Sequence, residues 1–565
     1  MSSEPNNLSS LPPDPYDLPP PWWQKHTPAL VALAVFAATV LLTVISFPPF
    51  NVPEFAYAFA SPAVFWAYRR PPFKLFAWTV LGACAVAWTI MLGWLHHVTW
   101  VGLFLLGPLA GVWVGSWFLA AWWLMPRLPG RGTLERILAV FGLAGLWVLI
   151  EWTRTWLLGG FPWLTLATSQ WQRVSILQVA AFTGAGGVSF VLIAMNISFA
   201  AYAHRLMCEG LRGLNRRSQE FFACLFLLVA CVTIHVQEVF NRGRFAVPLG
   251  RVAFVQPYIP QTVKWDPARG QDILNILGQT TLRAAGSRPD LILWPEATTP
   301  WAVRGNDNMR DWVDTLAKRS KAPLLLGSIA IERRGTPEET LYNGAFVVDP
   351  LIGVQAIYYE KRHLVPFGEY VPLRPVLGWL DKVVPIEGDF QRGFDPQPLQ
   401  VMLGGQPVAI GPLICYEDVF PSLAVDSVRA GADVLAVLTN DAWYGEGGAA
   451  YQHAAHSVLR AIETRRPVLR CGNGGWSGWI DEFGSIRDTL TNAEGSIYTR
   501  GTRTVDVTRD ARWIGRQSFY VQYGDWFLLV CVVLATLGFA IVSFGKPMES
   551  PAAAETEEPL FKLDL

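Results

Sequence analysis

Over the first 240 residues, long apolar stretches alternate with short basic segments, and the pattern then changes. Apolar runs occupy about 27–47, 54–68, 73–95, 99–125, 134–158, 174–203 and 219–237, and an eighth follows near 525–544. A helix rises about 1.5 Å per residue, so roughly 20 apolar residues cross a hydrocarbon core about 30 Å thick. The pattern predicts about eight transmembrane helices, the second short enough to lie tilted or interfacial. The first 26 residues, which include PPDPYDLPPP, carry too little apolar surface to fold and read as an extended tail.

Basic residues orient these spans. Arg69, Arg70 and Lys74 follow the second run, Arg127, Arg131 and Arg136 the fourth, and Arg205, Arg212, Arg216 and Arg217 the sixth. The loops after the first and third runs carry none, and Arg154 and Arg173 near the fifth are the exception. Short loops rich in Lys and Arg stay in the cytoplasm. The expected organisation is a Pro-rich tail at 1–26, a seven-span bundle at 27–240, an outer domain at 245–520, a last span at 525–545 and an acidic tail at 546–565. The outer domain faces the periplasm in a cell that has one. Gly107, Gly111 and Gly115 recur at helical spacing and suit close helix packing. Glu151 and Arg154, one turn apart at a membrane boundary, are placed to neutralise each other or meet a lipid headgroup.

From residue 251 short β-rich runs alternate with helical stretches. RVAFVQ, DLILW and PLLLGSIAI read as strands, with helices near 267–286 and 305–318 and further strands at 343–349, 354–359, 407–414, 433–438 and 467–471. This is α/β organisation beside a membrane α-helical bundle.

Composition narrows the function. Only 16% of residues are charged, with 45 basic and 45 acidic, so a lone soluble domain and a nucleic-acid groove are both disfavoured. The 26 tryptophans gather near the ends of apolar runs, as side chains that divide between hydrocarbon and water do. Cys84, Cys224, Cys231 and Cys531 fall in apolar runs and Cys208 in a basic loop, which leaves Cys415 and Cys471 in the outer domain. His96/His97 and His453/His456 have no matched carboxylates or thiols at ligand spacing, so no metal and no cofactor is expected.

Three polar groups fall at strand ends, where loops display chemistry above a rigid sheet. Glu296 follows the strand in LILWPEA, Lys361 lies in IYYEKRHLVPFGEY, and Cys415 stands at a strand-to-helix junction in VAIGPLICYEDVFP. Each alone has an ordinary reading: a solvated acid, a surface lysine, a buried core thiol. Together they supply a base for a thiol proton, a nucleophile for a carbonyl and a cation for the tetrahedral oxygen, a set suited to covalent acyl transfer.

WPE, EKRHLVPFGEYVP and ICYED, in that order, resemble the nitrilase superfamily. The LVPFGE form, TNDAWYG and the upstream GGFPWL make the chain similar to the apolipoprotein N-acyltransferase family from about 27 to 545. The resemblance implies an α-β-β-α sandwich inserted before the last membrane helix. It implies Glu296 as base, Lys361 as oxyanion partner and Cys415 as nucleophile, with Glu369, Tyr416 and Glu417 in support. It places Trp265, Trp443 and Asn473 on the substrate side. The implied partners are a phospholipid acyl donor, an apolipoprotein acceptor bearing a diacylglyceryl-cysteine, and membrane lipid, with no nucleic acid; a monomer is expected. The implied location is the inner membrane. A membrane-tethered amidase hydrolysing a small amide is the alternative that the same triad permits. Cys471, Gly472 and Trp476 depart from the small polar residues the family commonly carries there, which bears on substrate fit near Asn473.

Overall fold

The computed structural model describes residues 22–208, 218–241, 243–264, 266–370 and 390–545. The expected C-terminal tail and Trp265 therefore lie outside the described residues, and the first helix already begins at Trp22, inside the stretch read as a tail. Seven helices among the described residues are long and apolar enough to cross a membrane: Thr27–Ile45, Phe73–Met91, Trp100–Arg127, Thr133–Thr153, Ala185–Met207, Gln219–Glu238 and Trp526–Phe544.

The short second run differs from a full span. It forms a 3-10 turn, Pro53–Tyr57, and an eight-residue helix, Ser61–Tyr68. Pro53 and Pro62 each open a helical segment, where a missing N–H costs least, and so divide the run. The stretch still passes from one end of the bundle to the other. Pro48 at its start accepts from Gln452 of the α/β domain, and Arg70 at its end donates to Pro126 O at 3.3 Å.

Basic loop residues gather at that second end. Arg131 donates to the Ile541, Val542 and Gly545 carbonyls, and Arg136 and Arg205 both pair with Glu220. The opposite ends of the same helices meet the α/β domain. Small residues let the helices touch backbone to backbone: a Cβ added at Gly111 would lie 2.3 Å from Cys84 O, and one at Gly142 2.7 Å from Leu534 O. The second contact docks the last helix, 526–544, along 133–153, so the segment after the α/β domain returns to the bundle it left.

Among the described residues the α/β domain has thirteen strands in two sheets: β1 (Ala246–Gln256), β2 (Leu291–Leu293), β3 (Leu324–Glu332), β4 (Thr340–Asp349), β5 (Gly353–Val354), β6 (Tyr359–Glu360), β7 (Leu399–Leu403), β8 (Gln406–Ile414), β9 (Val434–Thr439), β10 (Val468–Gly472), β11 (Gly478–Ile480), β12 (Ile486–Thr489) and β13 (Gly501–Asp510). One sheet runs β13-β1-β2-β3-β4-β5 with β6 beside β4, and the other β12-β11-β10-β9-β8-β7. Val252, Phe254, Leu293 and Val347 of the first pack against Val408, Ile410, Ala436 and Leu469 of the second, which forms the sandwich core.

Helices Gly270–Ala285 and Asp307–Ser320 cover the outer face of the first sheet. The outer face of the second is covered by helices Pro421–Arg429 and Ala449–Thr464, and their buried residues belong to one continuous apolar core with the membrane helices. The sandwich is thus sealed onto the bundle through one of its helical layers, a tighter union than a tether.

Candidate active site

Glu296 stands three residues beyond β2, over β3. A Cβ at Gly327 of β3 would fall 2.6 Å from Glu296 Cα, so only glycine lets the two backbones approach this closely. Asn343 lies within β4. The antiparallel pairing of Gly344 with Glu360 brings Lys361, just past β6, opposite Asn343, and the Lys361 N–H donates to the Asn343 carbonyl at 2.8 Å.

Four side chains close on one another there. Lys361 Nζ donates to Glu296 Oε1 at 3.0 Å and to Glu369 Oε1 at 2.9 Å, and Asn343 Nδ2 donates to the same two oxygens at 2.8 and 3.0 Å. Glu369 Oε2 accepts from Val365 N at 2.9 Å, which fixes the carboxylate in its loop. Lys361 is 1% exposed and Glu296 6%, so the ammonium sits in protein between two carboxylates.

Cys415 comes from the other sheet. It follows the last residue of β8, Ile414, and opens the 3-10 turn Cys415–Val419 with φ +51°, a left-handed conformation that costs a non-glycine residue about 1–3 kcal/mol and clusters at functional sites. Burial first, and then the Glu296 carboxylate, hold its thiol well above the ordinary cysteine range, while Lys361 and the Thr439 hydroxyl pull the other way. Burial also disfavours the charges of Glu296 and Lys361, but their partners prevail. Lys361 and then Lys264 keep Glu296 below the usual carboxylate range, and Glu296 and Glu369 keep Lys361 protonated well above the usual lysine range. At neutral pH the site holds a neutral thiol, an ionised carboxylate and an ammonium.

The other expected residues fall around this centre. Tyr416 donates its hydroxyl to Gly160 O at 3.1 Å, in the loop that follows helix Thr133–Thr153. Glu417 is fully buried behind the centre and joins two segments. Its Oε1 accepts from Arg362 N and His363 N at 2.5 and 3.1 Å, and its Oε2 from Ile414 N and Tyr359 OH at 2.7 and 2.9 Å. Trp443 is half-buried on the turn Asp441–Tyr444. Trp265 is outside the described residues.

Asn473 is buried beside the loops that surround the site. Its Oδ1 accepts from Ile259 N at 2.8 Å, and its Nδ2 donates to Ile259 O and Asn440 Oδ1, both at 2.9 Å. This amide braces the loops around the site. Cys471, part of the unusual segment, donates to Val255 O and Leu293 O at 3.4 Å and belongs to the inter-sheet core. Glu151 and Arg154 act on each other electrostatically, as expected, and each also holds backbone. Glu151 Oε1 accepts from Leu166 N at 2.7 Å, and Arg154 Nη2 donates to the Phe161 and Trp163 carbonyls, so both pin the loop that carries Gly160.

The sequence reading missed Asn343, which bridges both carboxylates, and Lys264, whose charge acts on Glu296 and whose Nζ donates to Glu296 O at 3.4 Å. It also missed Gln452, and weighed His453 only as a metal ligand. A polar pair in the alanine-rich AAYQHAAHSVLRA was the available signal.

Residues 251–522 match the carbon-nitrogen hydrolase family, and residues 39–198 match the apolipoprotein N-acyltransferase N-terminal domain. The chain is 31% identical over 521 residues to apolipoprotein N-acyltransferase of Geobacter metallireducens, covering 88% of this chain and 94% of that one. This chain belongs to the apolipoprotein N-acyltransferase family. The same enzyme of Brucella melitensis is 30% identical, with 91% of this chain and 96% of the relative covered. A solved amidase of the nitrilase superfamily from Nesterenkonia AN1 is 19% identical, covers 49% of this chain and 94% of its own, and has a TM-score of 0.35, too low to carry an argument. Membership of this acyltransferase family and seven apolar helices make the chain a multi-pass membrane protein.

Proposed function

We propose that the chain transfers a fatty acyl group from a phospholipid, through a thioester on Cys415, to the α-amine of the diacylglyceryl-cysteine of an apolipoprotein. This reading is supported by the Glu296–Lys361 ion pair, both of whose charges act on the Cys415 thiol, in a sandwich whose helical layer shares one core with membrane-spanning helices. An acyl chain costs about 0.8 kcal/mol per CH₂ to expose to water, so a site sealed onto a bilayer suits two lipid substrates.

In the first half-reaction Glu296 takes the Cys415 proton as the sulfur attacks the ester carbonyl. Lys361 offsets the charge that gathers on the carbonyl oxygen. The C–O bond then breaks, and the leaving alkoxide recovers the proton from Glu296 as lysophospholipid. In the second, the amine attacks the thioester, the C–S bond breaks, and Glu296 passes the amine proton to the departing sulfur. The order is ping-pong. Glu369 and Asn343 hold Lys361 and Glu296 in register, Tyr416 and Glu417 hold the flanking segments, and Trp443 serves the substrate side. The basic loops at the far end of the bundle support an inner-membrane setting with the sandwich on the periplasmic face.

Product analysis with a defined phospholipid and a diacylglyceryl-cysteine peptide tests the proposal. Lysophospholipid and an amide-linked third acyl chain, both dependent on the peptide, support transfer. Peptide-independent release of fatty acid, or of ammonia from small amides, supports hydrolysis and rejects it.

A further inference from the structure

Helix Ala449–Thr464 carries two adjacent buried side chains that serve opposite sides of the molecule. Gln452 is committed to the membrane bundle. Its Oε1 accepts from Trp94 Nε1 at 3.0 Å and Trp163 Nε1 at 2.9 Å, and its Nε2 donates to Pro48 O at 3.1 Å and Met91 O at 3.0 Å. Its whole hydrogen-bonding capacity therefore reads three separate bundle segments.

His453 serves the sandwich. Its Nδ1 lies 2.8 Å from Asp441 Oδ1, and its Nε2 2.8 Å from Asp418 Oδ1 and 3.2 Å from the backbone carbonyl oxygen of Cys415. Arg470 spans the same carboxylates, Nη1 to Asp418 Oδ2 at 2.7 Å and Nη2 to Asp441 Oδ2 at 3.3 Å. Two carboxylates thus face two cationic groups, all with fully buried side chains. The two carboxylates outweigh burial, which alone would lower it, and raise the His453 pKa to about 9, so both ring nitrogens carry protons at neutral pH. The Nε2–H then donates to Cys415 O, with the Asp418 carboxylate beside it as an ion-pair partner. The Trp163 ring lies 5.1 Å from His453 and 6.4 Å from Tyr416, which closes the cluster against the bundle.

Cys415 holds an unfavourable φ, and a conformation of this kind persists only where its surroundings fix it. We propose that Gln452 and His453 are positioning residues: Gln452 locks the helix to the membrane bundle, and His453 holds the Cys415 carbonyl, so the bundle aims the nucleophile. This rests on Cys415 being the nucleophile and goes beyond that reading in assigning the aim to the membrane half of the chain. An active site of this design loses acyl transfer through misalignment, without losing substrate binding.

Single-turnover acylation with dioleoyl-phosphatidylethanolamine in detergent micelles tests it, with burst amplitude, rate constant and KM read separately. For His453→Ala the rate constant falls about 100-fold, the scale of a misplacement near 1 Å, while the burst stays near one acyl group per chain and KM holds. His453→Gln, whose amide N–H restores a donor, recovers at least about tenfold of that loss. A rate constant within about threefold of the parent, or a loss confined to burst amplitude, overturns the proposal. Should His453→Ala fail to fold, Trp94→Phe removes the one N–H that Trp94 donates to Gln452 and leaves a smaller aromatic ring in its place. A slower rate constant at full burst amplitude supports the aim through Gln452, and an unchanged one overturns it. Absence of any adduct on the parent Cys415 instead removes the nucleophile reading beneath it.

Discussion

The hydroxyl of Tyr416, the residue after the candidate nucleophile, donates to the carbonyl of Gly160, which lies 256 positions earlier in a loop between membrane helices. The turn that presents Cys415 is therefore stitched directly to the bundle. Tyr416→Phe keeps the ring and leaves the buried Gly160 carbonyl without that donor. Unpaired buried carbonyls cost about 1–3 kcal/mol, and the resulting shift of the turn lowers acyl transfer by about 10- to 100-fold. Thermal melting and acyl-transfer rate, measured on the same preparation, check both figures.

Lys361→Met strands the buried Glu296 carboxylate and the half-buried Glu369 carboxylate. Breaking a buried pair in this way costs about 3–5 kcal/mol, so the variant melts markedly lower and transfers no acyl chain above background. Lys361→Arg keeps the charge, but a planar fork does not replace a point donor between Glu296 and Glu369. It recovers stability more than activity, and a melting scan beside a transfer assay distinguishes the two.

The free thiol titrates high because burial and the Glu296 carboxylate both oppose the thiolate. Alkylation of Cys415 by iodoacetamide consequently rises with pH from 6 through 9, about tenfold per unit, with no plateau at low pH. A plateau near neutrality would mean a pre-formed thiolate and no need for a base.

Glu296→Gln preserves shape and the Asn343 and Lys361 contacts in part, but removes the proton acceptor. Adduct formation slows by at least about 100-fold, within the range that general-base catalysis supplies, while the protein stays folded in detergent. Equal adduct rates in the variant and the parent remove Glu296 from the base role.

What the sequence made legible was whatever depends on local pattern. The apolar runs, the strands that end at Glu296 and Cys415, and the helices near 270 and 307 follow from spacing and breakers. Seven of the eight runs became long helices, and the run at 54–68 was divided by Pro53 and Pro62, a signal present in the sequence but outweighed by its hydropathy. Strand β13 escaped notice although TRTVDVT alternates, because polar residues on its exposed face hid an edge that pairs along β1. Asn343, Lys264 and Gln452 could not be read locally. Their meaning lies in partners such as Glu296, Trp94 and Trp163, and for Gln452 those partners are 289 and 358 positions away. The partners of Asn473, Ile259 and Asn440, are likewise brought to it only by the packing of the two sheets.

The central claim is a covalent acyl group on one sulfur. Intact-protein and peptide mass spectrometry of the purified chain, incubated with phospholipid and no acceptor, measures it directly. The account predicts a single acyl adduct on Cys415 that an added diacylglyceryl-cysteine peptide discharges, and none in Cys415→Ala or Cys415→Ser. Full turnover in Cys415→Ala, or an adduct on another residue, would contradict it.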